Sequence, residues 1–187
     1  MLTIMTALFF YGIDLITMPN SATLKIAVLT VSDTRTEETD HSGNYLASAV
    51  TEAGHQLYEK LIVTDNRYKI RAALSQWIAD HDVRAVLITG GTGFTDRDVT
   101  PVAVTPLLDK VIPGFGELFR NISYDEIGSS TIQSRAIAGI ANGTFIFCLP
   151  GSTGACRTAW TQILKLQFDI NNQPCNIVEI LPRIATR

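Results

Sequence analysis

Three strand-like runs, each followed by a stretch of helical periodicity or a glycine-rich turn, set the limits on how this chain can fold. Leu24–Val31 (LKIAVLTV) is a short, β-branched apolar run of the kind buried on both faces of a sheet. Beyond the polar stretch Ser32–Ser42, Leu46, Ala49, Val50 and Ala53 fall on one helical face, and Gly54 is placed to stop that helix in the left-handed conformation. Gln56–Val63 reads as a second strand. Asp65-Asn66 then opens an amphipathic helix whose residues Ile70, Ala73, Leu74, Trp77 and Ile78 recur at i, i+3, i+4, i+7 and i+8. Ala85–Thr89 (AVLIT) is the third strand and runs straight into Gly90-Gly91-Thr92-Gly93. This rhythm requires right-handed crossovers and a mostly parallel sheet covered on both sides.

The second half adds to the same plan. Thr100-Pro101 is a helix start, with the threonine expected as N-cap and the proline at the first helical position. Pro113-Gly114 breaks the chain before a helix over Phe115–Ser123. Ala136–Ile140 and Thr144–Leu149 flank Ala141-Asn142-Gly143, which signals a tight hairpin and so one antiparallel strand in the sheet. Pro150-Gly151-Ser152-Thr153 leads into a last helix with Trp160, Ile163 and Leu164 on its buried side.

No repeat, linker or low-complexity segment divides the chain, and 187 residues suit one well-filled domain. Residues 1–20 (MLTIMTALFFYGIDLITMPN) look like a weak signal peptide, yet no Lys or Arg precedes the apolar run and Asp14 interrupts it. The run is also too short to span a bilayer. With Met18 just ahead of the first strand, residues 1–22 are expected to be a disordered extension or an over-extended start, and residues 23–187 the single domain of a cytoplasmic protein. A net charge of −3 argues against nucleic acid or an anionic membrane as partner, since both need a basic face. Cys148, Cys156 and Cys175 are too few and too widely spaced for a disulfide framework or a zinc site.

In open α/β sheets, ligands bind beyond the carboxyl ends of the parallel strands. Two loops there carry glycine and hydroxyl residues: Thr89-Gly90-Gly91-Thr92-Gly93-Phe94, leading to Asp98 and Thr100, and Leu149-Pro150-Gly151-Ser152-Thr153. Such loops let backbone N–H groups approach an anion closely. Neither is a Walker loop or a dinucleotide fingerprint, and a single loop of this kind serves equally well as a tight turn. Two at one sheet end favour binding. Asp98 reads either as a solvated helix-start acid or as a carboxylate holding Mg²⁺ against a triphosphate. Asp65 reads first as the cap of its helix. The Ser134-Arg135 guanidinium is either surface charge or a fork for a phosphate, and Ser32 stands where a ligand contact belongs.

Taken together, Leu29-Thr30-Val31-Ser32-Asp33, the run from Leu87 through Gly90-Gly91-Thr92-Gly93-Phe94 to Thr100-Pro101, Pro113-Gly114-Phe115-Gly116-Glu117, Ser134-Arg135 and Leu149-Pro150-Gly151-Ser152 resemble, in order and spacing, the MoaB/Mog family of molybdenum cofactor biosynthesis proteins. The likeness runs from Leu24 to about Pro182, and Ser152–Trp160 is closer to the MoaB branch. The resemblance implies a three-layer α/β/α sandwich, assembly as a homotrimer or homohexamer, contact with other proteins of the pathway, and molybdopterin binding near the glycine loop. It also implies adenylylation of molybdopterin with ATP and Mg²⁺, with Asp65 and Asp98 at the family's two important acidic positions as catalytic residues and metal ligands. Thr89, Gly90, Gly91, Thr92, Gly93, Phe94 and Thr100 would then serve the phosphates, and Ser32, Ser134, Arg135, Pro150, Gly151 and Ser152 the rest of the ligand. A second reading is a protein that binds or carries molybdopterin without turning over ATP; aspartate at both positions favours the enzyme. A generic nucleotide-binding oxidoreductase is disfavoured by the missing fingerprint.

Overall fold

The computed structural model describes residues 23–184; the expectation of a disordered extension over residues 1–22 lies outside them. Six strands form one sheet in the order β2-β1-β3-β6-β5-β4. They are β1 (Lys25–Val31), β2 (Gln56–Val63), β3 (Val83–Thr89), β4 (Lys110–Val111), β5 (Ile137–Ala141) and β6 (Thr144–Leu149). The β2, β1, β3 and β6 pairings are parallel, while β5 runs against both β6 and β4. The sheet is therefore mostly parallel with one reversed strand, as the sequence pattern requires. The reversal is made by Asn142 (φ 46°) and Gly143 (φ 84°), both left-handed as a two-residue hairpin demands.

Period-two burial explains the three layers. Ile26 and Val28 of β1, Ala85 and Leu87 of β3, and Phe145, Phe147 and Leu149 of β6 point into one core; they pack against α1 (His41–Glu52), α4 (Pro113–Ile127) and the helix that begins at Thr153. The alternate residues, Ala27, Leu29 and Val31, Val86 and Ile88, Ile146 and Cys148, face α2 (Arg67–Ala79) and α3 (Thr100–Val104) through Ile70, Leu74, Trp77 and Val104. Strands apolar on both sides can lie only between two helical layers.

Four local details differ from the sequence reading. Asn66, not Asp65, caps α2: its side chain accepts from Tyr68 N and Lys69 N. Thr100 lies inside α3 rather than capping it, and α4 starts at Pro113 itself and continues to Ile127. The last helix is compound, with α5 (Thr153–Ala159) passing through a π-helical turn (Trp160–Leu164) into α6 (Lys165–Gln167); Trp160, Ile163 and Leu164 are buried as expected. A short α7 (Ile177–Ile180) packs Ile177 and Val178 into the same core. Among the described residues no helix is long and apolar enough to cross a membrane.

Candidate functional site

Register brings the site together. Val31 pairs with Val63, Thr30 with Thr89, and Thr89 with Leu149, so four parallel strands end at one level. The chain leaves β1 toward β2 over one face and returns to β3 over the other, which opens a crevice at this rim. The crevice is a cleft of about 580 Å³. Its lining includes Ser32, Asp65, Thr89, Gly90, Gly91, Thr92, Gly93, Asp98, Ser134, Pro150, Gly151 and Ser152, all singled out from the sequence.

The loop after β3 owes its shape to two glycines. Gly90 has φ of 101°, and a Cβ there would stand 2.2 Å from Val31 O; Gly91 has φ of 65°. Gly90 N–H donates to Leu149 O at 3.0 Å, which ties the loop to β6. Thr100, fully buried, donates its hydroxyl to Gly90 O at 2.8 Å and its N–H to Gly91 O at 2.9 Å. Arg135 donates Nε to Gly93 O at 2.7 Å and Nη2 to Asp98 O. The sequence placed Thr100, Arg135 and Phe94 on the ligand, whereas none of the three lines the cleft. Thr100 and Arg135 satisfy main-chain carbonyls that an irregular loop leaves without ladder partners, and Phe94 is 65% exposed.

Two carboxylates border this loop. Asp98 accepts from Thr95 N at 2.9 Å and Thr95 Oγ1 at 2.6 Å. Burial opposes its ionisation, but these bonds and one from Gly93 N–H outweigh it and hold the carboxyl below the usual aspartate range. Asp65 follows β2, and its Oδ1 would lie 3.1 Å from a Cβ on Gly91. Its carboxyl is pushed up, first by burial and then by the charges of Asp33 and Asp98, against the pull of Arg97. Asp33 accepts from Asp65 N at 3.1 Å and pairs with Arg97, whose guanidinium holds the Asp33 carboxyl low. Asp65 and Asp98 thus both border the glycine loop; among the described residues no group of three or more His, Cys, Asp or Glu side chains is placed to hold a metal ion.

Sequence reasoning missed a wall and two cations. Phe119, Ser123, Glu126 and Ile127 of α4, with Ser130, Thr131 and Gln133 of the turn Gly128–Gln133, line the cleft beside Arg35 and Arg97. Alternating charge around Asp98 was the available signal for Arg97; α4 shows only amphipathic periodicity. Beneath the loop after β1, Asp40 is fully buried. It accepts from Thr30 Oγ1 at 2.7 Å and Gly43 N at 2.9 Å, and Lys60 Nζ stands 3.2 Å away. This network seats Thr30 and Ser42, both in the lining.

Residues 27–169 match a family model described as a probable molybdopterin binding domain. Molybdenum cofactor biosynthesis protein B of Escherichia coli (strain K12) is 57% identical over 152 residues, covering 81% of this chain and 89% of that protein. A crystal structure of molybdenum cofactor biosynthesis protein B superimposes with a TM-score of 0.80 at 44% identity, covering 87% of this chain and 98% of the other. The tungsten cofactor synthesizing protein MoaB from Pyrococcus furiosus follows at 0.72 and 35% identity, covering 86% and 96%.

Proposed function

This chain belongs to the MoaB/Mog family of molybdenum cofactor biosynthesis proteins, and from that premise we propose that it binds molybdopterin and transfers AMP from ATP to its terminal phosphate, releasing pyrophosphate. The observation that carries this reading is the pair Asp65 and Asp98 at one glycine loop, both lining a cleft of about 580 Å³.

The reaction joins a phosphate oxygen to the α-phosphorus of ATP and breaks the α–β bridge. Both partners are anions, so mutual repulsion is the obstacle and the attacking phosphate needs no strong base. Magnesium suits the donor set, since it takes one or two carboxylates plus phosphate oxygens, and Asp98 with Asp65 would hold it. Bound there, it would neutralise charge on the polyphosphate. Asp98 is kept ionised by its Thr95 bonds, ready for a cation without a change of protonation. Gly90 N–H goes to Leu149 O and Gly93 N–H to Asp98, so the N–H groups of Gly91 and Thr92 would be the ones to meet a phosphate. Thr100 and Arg135 keep that loop rigid from behind, which spares reorganisation during the reaction. Ser32, Ser134 and Ser152 supply hydroxyls around the remaining lining.

Purified protein given molybdopterin, ATP and Mg²⁺ is expected to release pyrophosphate and yield adenylylated molybdopterin. Tight molybdopterin binding without product would assign the chain a carrier role instead. Absence of both binding and turnover would overturn the reading.

A further inference from the structure

The cleft is chemically two-sided. Its cations, Arg35 and Arg97, come from the loops after β1 and β3. The wall made by α4 and the following turn contributes one charged side chain, Glu126, among hydroxyl, amide and apolar groups. Glu126 is oriented from below: Thr158 Oγ1, on α5 and 6% exposed, lies 2.7 Å from its Oε1 and 3.1 Å from Gly154 O. A carboxylate offers about four lone-pair directions, and Thr158 uses one. Among the described residues no ion pair engages Glu126. Phosphate is repelled from such a carboxylate, whereas a neutral ring edge with adjacent N–H donors is attracted to it.

We propose that Glu126 is the specificity determinant for the heterocycle, accepting the ring N–H and exocyclic NH₂ of a 2-amino-4-oxopteridine with its two oxygens; this deepens the molybdopterin reading and rests on it. The two donors of that edge lie side by side, so a carboxylate meets both at once, as it meets the fork of an arginine. Adenine presents an amine beside a ring acceptor, and the acceptor would face a carboxylate oxygen. Glu126 therefore sorts the two substrates, with the pterin ring at the α4 wall and the adenylate elsewhere in the cleft. Ile127, 54% exposed in this structure, gives the flat ring an apolar surface, and Ser123 a neighbouring hydroxyl.

The test uses pterin (2-amino-4-oxopteridine) and lumazine (2,4-dioxopteridine), which differ at this edge by an NH₂ replaced with a carbonyl. Equilibrium dialysis against the wild-type chain is expected to favour pterin by about 10-fold or more. Glu126→Gln keeps an acceptor for Thr158 but turns a donor toward the ligand, and the preference is expected to vanish. Equal wild-type affinity for the two heterocycles, binding of neither, or an unchanged preference in Glu126→Gln would overturn the assignment. Pterin preference without pyrophosphate release would remove the transferase reading alone. Release without preference would remove the role of Glu126 alone.

Discussion

In the loop after β3, a Cβ on Gly90 would stand 2.2 Å from the Val31 carbonyl oxygen, and φ is 101°. In the loop after β6, a Cβ on Gly151 would meet Gly90 Cα at 3.3 Å, and its φ lies outside the left-handed region. The first loop is bent back on itself and stitched by Thr100 and Arg135. The second is an ordinary entry to α5, with Ser152 as N-cap accepting from Ala155 N at 3.1 Å. Glycine in the first is demanded by the backbone; in the second it keeps room for the first. Both border the cleft; the loop after β3 has Asp65 and Asp98 beside it, whereas Glu126 reaches the helix that follows the second loop through Thr158. Similar composition at one sheet end thus conceals two structural roles, a tight bend and a plain helix entry, and the proposed reaction assigns the chemistry to the first.

The largest expected effect tests the division of labour directly. Asp98→Asn preserves size and the acceptor toward Thr95 but removes the charge, and adenylyl transfer should fall by about 10²–10³-fold. Pterin affinity should stay within about threefold, because the heterocycle is assigned to the α4 wall. Equal losses of affinity and turnover would mean that Asp98 holds the ligand rather than the reaction, and the contrast between the loops would collapse.

Stability separates the same loops next. Gly90→Ala combines a strained φ with backbone overlap, and should cost at least about 3 kcal/mol, or a fall in melting temperature of roughly 6–12 °C. Gly151→Ala asks its neighbour to yield a few tenths of an ångström, and should cost about 1 kcal/mol or less. Comparable losses in thermal unfolding would show that the two glycines do the same work.

The strands were readable because residues buried on both faces leave continuous apolar runs, and strand ends at one level follow from parallel pairing. That logic brought Ser32, Gly90 and Pro150 to a single rim from sequence alone, while Asp65, read first as a helix cap, joined them only through the family resemblance. β4 was not readable: it has two exposed residues, Lys110 and Val111, and exists because β5 offers an edge. Thr100 and Arg135 were read as ligand contacts, and the structure shows both bonded to the loop's own carbonyls. A hydroxyl or a guanidinium near glycines can serve a phosphate or the loop's own carbonyls, and only the three-dimensional path tells which. Glu126 was hidden because α4 turns both an apolar face to the core and its C-terminal turn to the cleft, so helical periodicity shows the first and masks the second.

The smallest effect concerns the acid between the loops' anions. Asp65 has its carboxyl raised in the folded chain by burial and by Asp33 and Asp98. A raised carboxyl binds its proton more tightly folded than unfolded, so its stabilising contribution is complete below the unfolded aspartate range and is lost as pH rises through the folded value. Above that window the ionised Asp65 weighs against the ligand-free fold. Asp65→Asn should therefore raise the melting temperature at pH 7 by roughly 1 °C, a gain kept small by solvent screening of a half-buried group. The gain should shrink as pH falls through the Asp65 titration, and added Mg²⁺ should stabilise the wild type more than the variant. A variant less stable than the wild type at pH 7, with no response to pH, would show that no repulsion is stored there, and the first loop would lose its claim to be a cation site.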